Sequence, residues 1–265
     1  LPQFINIRYG RKAQIVVSLV AIIYMSAFLV AEFASINFLF PSIAEVSGLR
    51  IMVLVGVFTY AYLKKSGFKA SYITDKFQGI GIILLLIVLF SIWFSQNSFS
   101  EIVNYSKLGG LGTFETFSLK SALAVILAVT AAEIFSQGYW QRTFSAKNEK
   151  TIKKASVISA IGAFLTILLI GVAGDVGAGK GLESPTLSFI GQLDLNLFSS
   201  VLLVSLCTLL VASSIDTLEN AISSTISLDL IGKGAKEAQY ITLAIITFAI
   251  FAAIYVTNIF SVFLV

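Results

Sequence analysis

The sequence predicts an all-α integral membrane protein: one transmembrane domain over residues 1–265, with about seven membrane-spanning helices. Three observations predict it. Apolar residues make up 57% of the chain and charged residues only 12%, about half the roughly 25% charge of soluble domains. The apolar residues gather in seven segments, near 13–37, 49–63, 77–94, 119–138, 155–174, 197–230 and 239–264, most of them long enough for a ~30 Å hydrocarbon core. The connections between these segments alternate between rich and poor in basic residues.

Taken in order, the segments carry their own punctuation. Pro41 marks the end of the first. The second is short and needs its flanks or local thinning to span, with Tyr60 and Tyr62 as interfacial anchors ahead of Lys64. Residues 95–118, rich in Asn and Gly, predict a polar outer loop, and residues 171–185 another. The sixth segment is longer than a span requires, which predicts tilt or extension past the membrane. Fourteen of the 18 basic residues fall in alternate connections: Arg8, Arg11 and Lys12; Lys64, Lys65, Lys69 and Lys76; Arg142 to Lys154; and Lys233 and Lys236. By the positive-inside rule this places the first residue in the cytoplasm and the last outside.

This distribution also excludes function classes. The net charge of +4 is a topology signal, so no nucleic-acid partner is implied. The chain has no His and shows neither a metal cluster nor a nucleophile–base pair, which argues against an enzyme. Gly174 to Lys180 matches the spacing of a phosphate-binding loop, but Gly181 stands where Ser or Thr would hold Mg²⁺, and an apolar span precedes it. Cys207, the lone cysteine, can form no internal disulfide. No cofactor is predicted.

The functional signal lies at Leu209 to Asp229. Ser213, Asp216, Thr217, Asn220 and Ser224 fall at i, i+3, i+4, i+7 and i+11, one face of a helix. An Asp at the bilayer centre costs about 2.5–3.5 kcal/mol on insertion scales. Such residues usually face a wet cavity and mark an ion or solute path; the alternative is hydroxyls that only join helices.

Four stretches in order resemble the sodium:solute symporter family. They are Leu1-Pro-Gln-Phe with Arg8-Tyr-Gly10, Thr74-Asp-Lys-Phe-Gln78, Gln137-Gly-Tyr-Trp-Gln-Arg142 with Ser145-Ala-Lys-Asn148, and Ala212-Ser-Ser-Ile-Asp-Thr217 with Asn220. The resemblance implies the LeuT-type five-plus-five inverted-repeat bundle, with the seven segments as its third to ninth core helices. The first, second and tenth are then absent. Since the chain also begins at Leu1 within a cytoplasmic loop, a fragment of a longer transporter is expected.

The family likeness implies site residues one by one. The Leu210 carbonyl with the Ser213 and Ser214 hydroxyls would form half of a main sodium site. Oxygen ligands of this kind replace the hydration shell of a hard cation. Asp75, Asp216 and Thr217 would form a second sodium site. Asp75 has an alternative reading as an acid in the first turn of a helix capped by Ser71 or Thr74. Arg142 would hold a cytoplasmic loop, and Tyr139 and Trp140 read as an aromatic belt. Glu133, with Ser136 and Gln137 one turn on, is expected to share one helix face in the solute site. Glu32 stands where the family commonly has Gln.

The implied function is sodium-coupled secondary active symport of a small polar solute by alternating access in the plasma membrane. Amino acids, urea or polyamines, sugars and carboxylates are all candidate solutes, and the Tyr-Trp-Gln-Arg form is most similar to the urea and polyamine branch. The partners are Na⁺, the solute and the lipid bilayer. Two alternatives remain: a symporter-like membrane module of a signalling protein, and an H⁺-coupled amino-acid permease of the same fold.

Overall fold

The computed structural model describes residues 2–44, 46–110, 116–182, 192–232 and 235–257. Among these residues it is all-α, an integral membrane protein by the length and apolar character of its helices. Five helical stretches are long and apolar enough to cross a membrane, or six if a bent pair is counted as one span. Lys233 and the far end of the seventh predicted span, 258–264, lie outside the described residues.

After the short α1 (Pro2–Tyr9), α2 runs from Arg11 to Ala44. Its core face repeats at Met25, Leu29, Phe33, Ile36 and Phe40, all fully buried, at the 3–4-residue spacing of a helix stripe. Pro41 lies inside α2 rather than beyond it. Its ring removes one backbone donor near the helix end and leaves the helical φ intact.

α3 (Gly48–Gln96) replaces two predicted spans and the loop between them. The lysine-rich stretch 64–76 is helical, broken only at Gly67, where φ is 50° and ψ −133°. Open space surrounds the position, but this positive-φ backbone strains any residue with a Cβ, so glycine allows the kink. Before the kink, Arg50, Lys64 and Lys65 leave Gly48–Ser66 outside the five candidate spans.

The predicted outer loop 95–118 contains a helix instead. α4 (Phe99–Gly109) starts on a capping box, in which Ser98 Oγ accepts from the Glu101 N–H and the Glu101 carboxylate accepts from the Ser98 N–H. It ends on Gly110 in the left-handed conformation. α7 (Glu149–Gly179), capped by Asn148, likewise runs through most of the second predicted loop. α4 packs along its end, where the Gly109 and Gly179 Cα atoms approach the Asp175 and Tyr105 carbonyls of the other helix too closely for any Cβ.

The fourth predicted span is broken. α5 (Thr116–Glu133) stops, residues 134–136 turn, and α6 (Gln137–Phe144) leaves at 57°. α8 (Leu197–Ser224), capped by Asn196, continues as a π-helix over Thr225–Ile231 and ends at left-handed Gly232; α9 (Ala235–Ile254) follows. The core forms where α2, α3, α8 and α9 pack together. Ile215 and Ile222 of α8, Met52 of α3 and Ala253 of α9 are buried there with the α2 stripe.

Candidate functional site

α8 carries its acids into the bundle, and α3 supplies the groups that receive them. Asp216 is fully buried. Its carboxylate accepts hydrogen bonds from Tyr62 Oη at 2.5 Å, Ser71 Oγ at 2.9 Å and Thr74 Oγ1 at 3.2 Å. Tyr62 comes from the half of α3 before the Gly67 kink, Ser71 and Thr74 from the half after it. The kink therefore brings three donors to one carboxylate, which offsets the cost of burying its charge. Two sequence expectations are corrected here. Tyr62 is an internal donor rather than an interfacial anchor. Ser71 and Thr74 sit within a helix, so they do not cap it, and Asp75 is not in a first turn. One turn beyond Asp216, the equally buried Glu219 accepts from Thr59 Oγ1 at 3.1 Å.

Asp75 is engaged by Arg142. The guanidinium Nη2 lies 2.6 Å from Asp75 Oδ2 and 2.6 Å from Thr217 Oγ1, Nε lies 3.2 Å from Asp75 Oδ2, and Nη1 donates to the Gly138 carbonyl at 3.3 Å. This corrects the expectation that Arg142 holds a cytoplasmic loop. A guanidinium stands between Asp75 and Thr217, two of the three residues matched to a second sodium site. The third, Asp216, accepts from Thr217 Oγ1 at 3.3 Å.

Around this pair lies a cavity of about 350 Å³. Tyr24, Phe28 and Glu32 of α2 line it, with Asp75 of α3, Glu133, Ser136, Tyr139 and Arg142 around the α5–α6 break, and Ser213, Ser214, Thr217 and Leu218 of α8. Ser213 Oγ donates to Asp75 Oδ1 at 3.4 Å, whereas Ser214 faces the Glu32 carboxyl. Leu210, one turn earlier, is 37% exposed and lies outside this lining.

Of the three residues expected on one helix face, two reach the cavity. Glu133 ends α5 and Ser136 is the residue before α6, so the chain turns between them. The shared face belongs to a broken helix, not a continuous one. Gln137 turns the other way; it is buried, and its Nε2 lies 3.4 Å from the Phe135 carbonyl. The Glu133 carboxylate lies near the Tyr24 hydroxyl, yet neither Glu133 Oε2 nor Tyr24 Oη closes a hydrogen bond.

Sequence reasoning passed over Tyr24 and Phe28, and it read Tyr139 as belt. Their rings wall the cavity, with Tyr24 and Phe28 packed at 4.7 Å. Glu32 was the available signal, a carboxylate within an apolar segment. Among the described residues the cavity thus holds three carboxylates and one guanidinium, and that guanidinium is bound to Asp75. The chemistry suits a cation that is partly organic, since carboxylates meet its charge and aromatic faces meet its stem.

No family model matches the chain, and no solved structure matches it. It is similar to the spermidine transporter DUR31 of Candida albicans (strain SC5314 / ATCC MYA-2876), at 29% identity over 241 residues. That alignment takes in 87% of this chain and 45% of the relative, so the chain spans less than half the length of the curated relative it matches.

Proposed function

We propose that this chain is the central part of a secondary transporter of the sodium:solute symporter type, and that its solute is a small organic cation of the polyamine class. The observation that carries the reading is the pair Glu32 and Glu133. Both carboxylates face one cavity whose lone arginine is already held by Asp75. Leaving such groups uncompensated in a membrane interior costs several kcal/mol, which a cationic solute would offset.

Two further features support it. Discontinuous helices form the binding sites of many transporters, and the α5–α6 break sits at this cavity. The similarity to a spermidine transporter agrees with the charge of the site. In this reading Na⁺ binds at Leu210, Ser213 and Ser214, its gradient drives the solute inward, and the bundle rocks about the cavity by alternating access. Entry of one positive charge across 100 mV supplies about 2.3 kcal/mol. The protein would lie in the plasma membrane with Leu1 on the cytoplasmic side.

The test is uptake by the complete protein in liposomes, with spermidine, urea and proline as solutes and imposed Na⁺ or pH gradients. Spermidine uptake that requires Na⁺ and collapses in Glu133→Gln is expected. Uptake driven by a pH gradient without Na⁺ would instead favour proton coupling. Unaltered kinetics and pH profile in Glu133→Gln would reduce Glu133 to a buried acid with a structural partner.

A further inference from the structure

α6 presents a different residue set to each of two cavities. Ser136, which precedes the helix, lines the solute cavity with Tyr139 and Arg142 at i+3 and i+6. Gln137, Trp140, Gln141 and Phe144, at i, i+3, i+4 and i+7, line a second cavity of about 510 Å³ bounded also by α1 and the junction of α8 with its π-helix. An eight-residue helix is therefore the wall between them.

The wall is pinned on its two sides. Arg142 binds Asp75 and Thr217. Gln141 Oε1 accepts from Asn220 Nδ2 at 2.9 Å, and its Nε2 donates to Ser224 Oγ at 2.6 Å. The non-helical residues 134–136 join α6 to α5, so releasing these side-chain bonds frees the helix to swing about that turn.

The second cavity has a consistent chemistry. Phe4, Trp140 and Phe144 contribute rings, with Trp140 and Phe144 stacked at 5.9 Å and 26°. Trp140 Nε1 donates to the Ile134 carbonyl at 2.8 Å, which fixes the indole orientation. Asp229, only 8% exposed, contributes a carboxylate whose Oδ1 accepts one long bond from Gln14 at 3.4 Å. Arg11 lies near it but donates to Gln14 and to the Leu230 carbonyl. Among the described residues no Lys or Arg belongs to the lining. Rings, a buried carboxylate and three amide side chains, with no such cationic group in the described lining, are the components that bind an organic ammonium.

We infer that this second cavity is a binding station for an organic ammonium, in series with the solute cavity across α6. The inference rests on the reading of the solute as a cation. A solute released from the first cavity would meet the second as α6 swings, passing from carboxylates and tyrosines to Asp229 and the Trp140–Phe144 wall.

The experiment is a fluorescence titration of the complete protein with spermidine and with putrescine. The difference between the parent and its Trp140→Phe variant isolates the Trp140 signal. A saturable Trp140 response is expected, shifted roughly tenfold to higher concentration in Asp229→Asn and in Phe144→Leu and unshifted in Glu133→Gln. Phe144 is largely exposed, so its replacement by Leu keeps the fold even where Asp229→Asn does not. A Trp140 signal that ignores both amines overturns the station. So does a response shifted by Glu133→Gln and unchanged in Phe144→Leu. Uptake that survives Glu133→Gln while the Trp140 response stands would overturn the reading of the first cavity instead.

Discussion

Asp75 and Arg142 form an ion pair, Oδ2 to Nη2 at 2.6 Å, that ties the short helix α6 to α3, and the same nitrogen reaches Thr217 on α8. One guanidinium thus joins three helices at the edge of the solute cavity. Both side chains keep some exposure, 30% for Arg142 and 23% for Asp75, so the pair belongs below the 3–5 kcal/mol range seen when fully buried pairs are broken.

Arg142→Lys should therefore lower stability by about 1–2 kcal/mol, because an ammonium cannot bridge the three acceptors in the fork geometry. A thermal-unfolding cycle with Asp75→Asn checks it. The expected coupling is ~1–2 kcal/mol, and additive effects would mean that the pair is not formed in solution.

Ser213→Ala and Ser214→Ala should raise the Na⁺ concentration needed for half-maximal uptake, with less effect on solute affinity at saturating Na⁺. Each removes a ligand oxygen from the proposed main sodium site. Unchanged Na⁺ dependence in both variants would leave these serines as helix-joining hydroxyls, Ser213 through Asp75 and Ser214 through Glu32.

The crossing of α4 and α7 depends on glycine at the contact. A Cβ at Gly179 would run into the Tyr105 carbonyl, while one at Gly162 meets nothing within 4 Å. Gly179→Ala should destabilise by about 1–3 kcal/mol through forced separation of the two backbones. Gly162→Ala should stabilise by about 0.5–1 kcal/mol through helix propensity. Equal melting temperatures for the two variants would contradict the close crossing.

The capping box of α4 should respond to acid. Hydrogen bonds from the Ser98 hydroxyl and N–H hold the Glu101 carboxyl below its ordinary value of 4.5. A depressed folded-state value means that the cap's contribution is complete above pH 4.5 and is lost as the pH falls below it through the folded value. Protection of the first-turn amides of α4, measured as exchange relative to the intrinsic rate at each pH, should fall across that window. In Glu101→Gln, which cannot titrate, this loss of protection should vanish; if it persists, the cap is not its source.

The basic asymmetry predicts that cysteines placed at Lys147 and Lys107 label from opposite sides. An impermeant external reagent should modify Lys107→Cys and spare Lys147→Cys. Labelling of both from outside would overturn the topology.

Helical class, membrane-length segments and the polar face of α8 were legible in the sequence, because hydropathy and helical spacing are local sums over neighbouring residues. Glu133 and Glu32 were visible for the same reason, as carboxylates in apolar runs. Which groups meet them was not. Asp75 finds Arg142 across 67 positions and Tyr62 finds Asp216 across 154, and only packing around the Gly67 kink and the α5–α6 break creates those partnerships. Local charge also misled: the lysine-rich stretch 64–76 reads as a loop, yet it stays helical with Ser71 and Thr74 bonded to Asp216. The side chains that need burial were determined by the sequence alone. The tertiary structure decided their partners, since a buried charge is stable only beside donors that the fold brings from distant segments.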